Sequence, residues 1–178
     1  MTEKIIVAGS GGQGAMLLGK IIAEAAMREN KFVTWLPSYG AEVRGGTAHC
    51  MITVSDQEIG SPYVDKADTL IILNEQSFDR FKNRIKNNGT LIANGSLVLK
   101  DIDENNNRIK RPFTDIAIKL GNIKVANMVA LGAYLGKKDI IKKDTVIQTI
   151  EEIAPADKKA LVEINKNALL AGIELTEK

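Results

Sequence analysis

One cysteine, Cys50, is all the thiol chemistry that this chain of 178 residues has. It cannot form a disulfide within the chain, and a lone thiolate cannot hold an iron–sulfur cluster. Histidine is as scarce, with only His49, and no acidic motif with metal-ligand spacing appears, so the chain is expected to carry no redox or metal centre of its own. An excess of one charge is missing too: 24 Lys and Arg against 22 Asp and Glu leave +2, too little to steer the whole molecule toward nucleic acid or an anionic membrane. No run approaches the about 18 apolar residues of a membrane span. The N-terminus enters an apolar run with neither a basic n-region nor a small-residue cleavage site, so a cytoplasmic location is expected.

What remains is an ordinary globular composition, 44% hydrophobic and 26% charged, in a length that suits one domain over residues 1–178. Ile5 to Ala8 reads as a strand buried on both faces, and the three- and four-residue steps of Leu17, Leu18, Ile21, Ile22, Ala25 and Ala26 predict a helix from Ala15 to Met27. Phe32 to Leu36 returns to strand composition and is expected to stop at Pro37. This makes a Rossmann-like first βαβ unit with parallel strands and a right-handed crossover. Thr47 to Val54 alternates, with Ala48, Cys50, Ile52 and Val54 on its more apolar face. Thr69 to Leu73 is a further strand, Glu75 to Ile85 a helix begun by the N-cap Asn74 and ended by Asn87-Asn88-Gly89, and Thr90 to Ala93 another strand. Asp101 to Asn107 is a polar turn before Arg108 to Arg111. Beyond Val125 the pattern is helical, and Gly132 inside the apolar stretch Val125 to Leu135 predicts a buried helix with a close neighbour. The expected class is α/β, a mainly parallel sheet flanked by helices and closed by an antiparallel edge strand.

Between the first strand and helix, Gly9, Gly11 and Gly14 fit G-x-G-x-x-G. Glycines there permit positive φ and bring backbone amides at the positive end of a helix dipole close to an anion. A tight βα turn with close helix–strand packing explains them equally. An NAD site would place a carboxylate roughly 20 positions on, at the end of the second strand. The sequence there is Leu36-Pro37-Ser38-Tyr39, with Glu42 the first acid, and no Gly-Lys-Ser/Thr ending marks a nucleoside triphosphate loop.

The second loop, Ser38-Tyr39-Gly40-Ala41-Glu42-Val43-Arg44-Gly45-Gly46, also leaves from the carboxyl end of a strand, the edge where ligands and partners collect in open α/β sheets. Arg44 suits a phosphate or a partner's carboxylate, and equally an ion pair with Glu42.

GSGGQG opening the first helix, WLPSYGAEVRGGTAHC after the second strand, SDQEIGSPYV, and NMVALGAYLG late in the chain together resemble the gamma subunit, or gamma domain, of 2-oxoacid:ferredoxin oxidoreductases. The resemblance runs in order over nearly the whole chain. It implies a noncatalytic subunit of a complex that oxidatively decarboxylates a 2-oxoacid to an acyl-coenzyme A and passes electrons to ferredoxin. It further implies that thiamine diphosphate, magnesium and iron–sulfur clusters belong to the thiamine-diphosphate-binding and ferredoxin-like partner subunits, and that this chain packs against them and covers the coenzyme A side. The positions carried over as coenzyme A- or partner-facing are Gly9, Gly11, Gly12, Gln13, Gly14, Ser38, Tyr39, Glu42 and Arg44. The WLPSYG segment favours 2-oxoglutarate or a branched-chain 2-oxoacid, with pyruvate still open. A chain of this length implies that the other subunits are separate chains. The alternative of another class is a free-standing nucleotide-binding oxidoreductase domain, which the missing ribose-binding carboxylate disfavours.

Other residues have plainer readings. His49, on the more polar face of its strand, is expected to be a solvated or hydrogen-bonded structural histidine, and Cys50 a small core residue. Trp35 and Tyr39 suit core or interface packing before base stacking. The clusters Arg108, Lys110, Arg111 and Lys137, Lys138, Lys142, Lys143 read as solvated faces.

Overall fold

The computed structural model describes residues 1–38, 47–103, 105, 107–154 and 159–176. The chain runs β1 (Thr2–Ser10), α1 (Ala15–Arg28), β2 (Phe32–Ser38), β3 (Thr47–Ser55), β4 (Ala67–Ile72), α2 (Glu75–Phe81), β5 (Ile85–Asn94), β6 (Arg108–Arg111), α3 (Phe113–Lys119), α4 (Ala126–Leu135), α5 (Lys143–Ile153) and α6 (Lys159–Glu174). Short 3-10 turns at Lys82–Arg84 and Ile123–Val125 join α2 to β5 and lead into α4.

The strands form one six-stranded sheet in the order β2-β3-β1-β4-β5-β6. β1, β4, β5 and β6 are parallel neighbours, whereas β3 runs antiparallel between β1 and β2. The class is α/β as expected, and the antiparallel strand differs in place. It lies inside the sheet, not at its edge, because the chain leaves β2 by a loop and turns straight back as β3. β1 and β2 therefore point the same way but are separated by β3, so the first βαβ unit is not a pair of adjacent strands. Pro37 does not end β2, which reaches Ser38; at a sheet edge a residue without an N–H breaks no ladder on its open side.

Burial follows the period-two pattern. Ile5, Val7, Cys50, Ile52, Val54, Ile71 and Ile92 face a large core shared with α1, α3, α4, α5 and α6. Ile6, Ala8, Met51, Leu70, Ile72 and Leu91 face a smaller core closed by Phe81 of α2, Val64 and Val98. β1 is buried on both faces, as its unbroken apolar run predicts. Two further corrections concern local elements. α2 ends at Phe81, and Asn87-Asn88-Gly89 lies within β5, where an irregular register between Ala67/Thr69 absorbs the polar residues. β6 and α3 carry too little periodicity of their own and gain their form from pairing with β5 and packing on α4. No helix among the described residues is long and apolar enough to cross a membrane.

α4 crosses the large core from the carboxyl edge of the sheet to its amino edge. There Glu3, buried, accepts a hydrogen bond from Thr69 Oγ1 at 2.6 Å and pairs with Lys138 just beyond the helix at 3.3 Å. α4 is apolar nearly all round because α6 covers its outer side. A Cβ at Gly132 would lie 2.0 Å from the Leu169 carbonyl oxygen, and one at Gly172 2.0 Å from that of Val129. Both obstacles are backbone, so no rotamer change relieves them. Gly132→Ala is expected to destabilise the chain by about 3 kcal/mol through overpacking, read as a lower chemical denaturation midpoint at unchanged slope. A midpoint within error of the parent would contradict this crossing.

Candidate functional site

The carboxyl ends of β1, β4 and β5 lie side by side at one edge of the sheet. The crossover after β1 goes to the large-core face with α1, and the crossover after β4 goes to the other face with α2. Where neighbouring crossovers diverge, the strands leave a crevice, the usual ligand position of an open α/β sheet. Here it is a cleft of about 180 Å³ lined by Gly12, Gln13, Leu73, Asn94, Leu97, Thr114, Ile123, Lys124, Ala126 and Asn127.

The glycine loop forms one wall. Gly12 has φ +91° and Gly14 φ +77°, values that disfavour any side chain. Gly14 is also the N-cap of α1 and contributes no side-chain cap. Gln13 closes the turn on itself: its backbone N–H donates to the Ser10 carbonyl at 3.1 Å, and its Oε1 accepts from the Ser10 N–H at 2.6 Å. Its Nε2 donates to the Leu73 carbonyl at 3.4 Å, which ties the loop to the end of β4. Gly9 leaves room for this, since a Cβ there would come within 2.9 Å of Gln13 Oε1. Gly11 and Gly12 are exposed.

Three asparagines hold the surrounding elements. Asn74 caps α2, accepting from the Ser77 N–H at 3.0 Å, and donates to Ser10 Oγ. Asn94, at the end of β5, donates to the Leu73 carbonyl at 3.1 Å and to Thr114 Oγ1 at 2.8 Å. Asn127, in the first turn of α4, donates to the Gly14 carbonyl at 3.3 Å. The N-termini of α1 and α4 thus meet at the cleft. α1 has neither a side-chain cap nor an acidic residue in its first turn, which leaves amides open there. α4 instead continues from the 3-10 turn Ile123–Val125, where Asn122 Oδ1 accepts from the Lys124 N–H and the Val125 and Ala126 N–H groups donate to the Asn122 and Ile123 carbonyls. Two positive dipole ends still face the same space, with exposed Lys124 at its rim. This arrangement favours an anion, a phosphate above all.

Of the residues expected from sequence, Gly9, Gly11, Gly12, Gln13 and Gly14 form one turn on this cleft. Ser38 is exposed at the same edge, paired with His49 at the end of β2, two strand spacings or about 10 Å from β1. The loop after it ends at Thr47, which pairs with Ser10 at the glycine loop. Tyr39, Glu42 and Arg44 lie outside the described residues. Asn94, Thr114, Lys124 and Asn127 were not anticipated. The available signal was polarity where apolarity was due: Asn94 ends a buried strand, and Asn127 opens an apolar helix.

His49 and Cys50 are core residues. His49 is buried on the smaller core, its ring 4.8 Å from that of Phe81: of the two expected readings, solvated or hydrogen-bonded structural, burial excludes the solvated one. Cys50 Sγ points at the Ala15 carbonyl oxygen at 3.6 Å, and burial pushes its thiol up to about 12, with Trp35 acting weakly in the other direction. Among the described residues, no group of three or more His, Cys, Asp or Glu side chains is placed to hold a metal ion.

The model of the family described as pyruvate ferredoxin/flavodoxin oxidoreductase matches residues 4–175. A 2-oxoglutarate synthase subunit KorC of Methanocaldococcus jannaschii is 36% identical over 183 residues, covering 99% of this chain and 95% of that one. A ketoisovalerate oxidoreductase subunit VorA of Methanothermobacter marburgensis is 30% identical over 175 residues, which cover 98% of this chain but only 37% of the relative. This chain thus spans about a third of the length of the ketoisovalerate subunits that it matches. The crystal structure of a keto/oxoacid ferredoxin oxidoreductase gamma subunit from Geobacter sulfurreducens superposes with a TM-score of 0.84 at 30% identity, covering 98% of each chain.

Two outcomes follow from this geometry. Gln13→Ala deprives the Ser10 N–H and the Leu73 carbonyl of a partner and is expected to lower stability by about 1–2 kcal/mol in chemical denaturation; an unshifted midpoint would show the turn to hold without it. Cys50 is expected to resist thiol reagents at mildly alkaline pH until the chain is unfolded. Rapid labelling of the native protein would contradict its burial.

Proposed function

The chain belongs to the pyruvate ferredoxin/flavodoxin oxidoreductase family, and from that premise we propose that it is the noncatalytic gamma subunit of a 2-oxoacid:ferredoxin oxidoreductase. The observation that carries this reading is the end-to-end correspondence with the KorC subunit, in which neither chain has a large part without a counterpart. The complex oxidatively decarboxylates a 2-oxoacid to its acyl-coenzyme A with electrons passed to ferredoxin, in the cytoplasm. A substrate of the 2-oxoglutarate or branched-chain class is preferred and pyruvate stays open, since the relatives' names include all three. The packing of His49 and Cys50 into the cores supports a chain that lends surface and charge while its partners supply the chemistry. The free-standing nucleotide-binding alternative is not favoured, since the relatives are named as subunits of oxidoreductases.

Thiamine diphosphate with its magnesium ion and the iron–sulfur clusters are held by the thiamine-binding and ferredoxin-like subunits. Coenzyme A is the ligand that this chain faces. Its diphosphate suits the glycine loop, where the amides of Gly12, Gly14, Ala15 and Met16 and the dipole of α1 favour negative charge, with the N-terminus of α4 and Lys124 beside them. Each helix terminus contributes about 0.3–1 kcal/mol at an exposed site, so the isolated chain binds coenzyme A weakly and the assembled complex supplies the opposing wall. Ser38 ends β2 at the same edge; Tyr39, Glu42 and Arg44 follow it in the sequence, and an arginine guanidinium suits a phosphate or a partner's carboxylate.

Arg44→Ala is expected to weaken assembly of the complex or to raise its apparent KM for coenzyme A about tenfold or more, the loss of one charge-assisted contact. Unaltered assembly together with unaltered coenzyme A kinetics would overturn the assignment.

A further inference from the structure

The cleft has polar groups that neither the glycine loop nor the sheet uses up. Its walls are largely apolar: Leu73, Leu97, Ile123 and Ala126. Into this surface come two side chains that are more than nine-tenths buried, Thr114 at 8% exposure and Asn127 at 3%. Asn127 spends an Nδ2 hydrogen on the Gly14 carbonyl, which fixes Oδ1 as its acceptor, and Oδ1 has no donor among the described residues. Thr114 Oγ1 accepts from Asn94 Nδ2, so its own proton must go elsewhere, and it has no acceptor among the described residues. Asn127 Oδ1 is not sealed in the core, and the cleft is the opening that both residues line. Buried polar groups are rarely left without partners, so an available donor and an available acceptor in one apolar recess specify what enters it.

We infer that Thr114 and Asn127 bind the neutral part of the ligand, a group that offers an N–H donor beside an acceptor on an apolar body. A carboxylate or phosphate cannot donate to Asn127 Oδ1, and an ammonium cannot accept from Thr114. The one cation among the described residues that line the cleft, Lys124, is exposed and suits the charged remainder of the same ligand. The inference rests on coenzyme A being that ligand. Coenzyme A carries the required chemistry twice, in the aminopurine edge of its adenine and in the amides of its pantetheine arm. Adenine has room in about 180 Å³, and so has one amide with its flanking methylenes.

The test uses the assembled complex and reads equilibrium binding of coenzyme A without 2-oxoacid, with thermal unfolding as a control. Thr114→Val keeps the shape and removes the hydroxyl, both the donor to the ligand and the acceptor for Asn94, and is expected to weaken binding about tenfold, while Thr114→Ser restores it. Competition by adenosine 3′,5′-bisphosphate, which has only the purine, and by pantetheine, which has only the amides, identifies the source: the fragment that loses affinity in Thr114→Val is the one in the cleft. Leu97→Trp, at an exposed position on the rim, blocks the recess without touching the core and is expected to weaken the same fragment, and it decides the matter alone if Thr114→Val fails to assemble. Wild-type affinity in Thr114→Val or in Leu97→Trp would overturn the inference, as would a loss in Thr114→Val that Thr114→Ser does not restore. If Arg44→Ala weakens coenzyme A binding and the cleft variants do not, the cleft inference alone fails; if all three leave assembly and affinity intact, the gamma-subunit reading of this edge fails with it.

Discussion

The carbonyl oxygen of Leu73 is the point on which the carboxyl edge of the sheet converges. Gln13 reaches it from the glycine loop and Asn94 from the end of β5, while the Leu73 N–H is held by the Ala8 carbonyl at 2.9 Å. A buried carbonyl must be satisfied, and satisfying this one fixes three strand ends relative to one another. The Gly14 carbonyl plays the same part for α4 through Asn127. Together they bring two helix N-termini to a single cleft. Without Gln13 folded back into the turn, the amides of the loop would have no fixed direction, and the positive ends of α1 and α4 would not act on the same space.

That construction suits a subunit that shapes a site without completing it. The free amides and the helix dipoles draw a phosphate, but at a partly exposed edge their effect is small and screened by salt. The one thiol is held neutral by burial, and the one imidazole is packed against a phenyl ring. Buried in this way, neither is open to a reactant. In the proposed complex the cleft is one wall of the coenzyme A site, and partner subunits supply the other wall and the reacting groups.

How much of this could be read from the sequence depends on the range of the interaction. β1 and α1 were legible because burial on both faces of a strand, and on one stripe of a helix, leaves a local periodic mark. The Asn74 cap was legible because it acts over three residues. Gly132 marked a close helix contact because a glycine in an apolar helix has few other uses, although its counterpart Gly172 could not be named. The position of β3 inside the sheet was hidden, since one alternating strand reads the same at an edge or in the middle. The surroundings of His49 were hidden for the same reason: its polar neighbours Thr47 and Thr53 left a wet face open beside a structural one, and Phe81 and the segment around Val64 cover that face. β6 and α3 take their form from partners distant in sequence. Of the site, the glycines and Gln13 announced themselves as a motif, whereas Asn94, Thr114 and Asn127 become a group only when β5, α3 and α4 are brought to one cleft.

The central claim is that this chain works as part of a larger oxidoreductase, and what it associates with tests that most directly. The chain, tagged at its C-terminus, isolated without oxygen from its own host and analysed by native mass spectrometry, is predicted to arrive with larger subunits that carry thiamine diphosphate and iron–sulfur clusters. Recovery as a lone chain or a self-dimer with a nucleotide on its glycine loop would contradict the claim and return the cleft to a cofactor of its own.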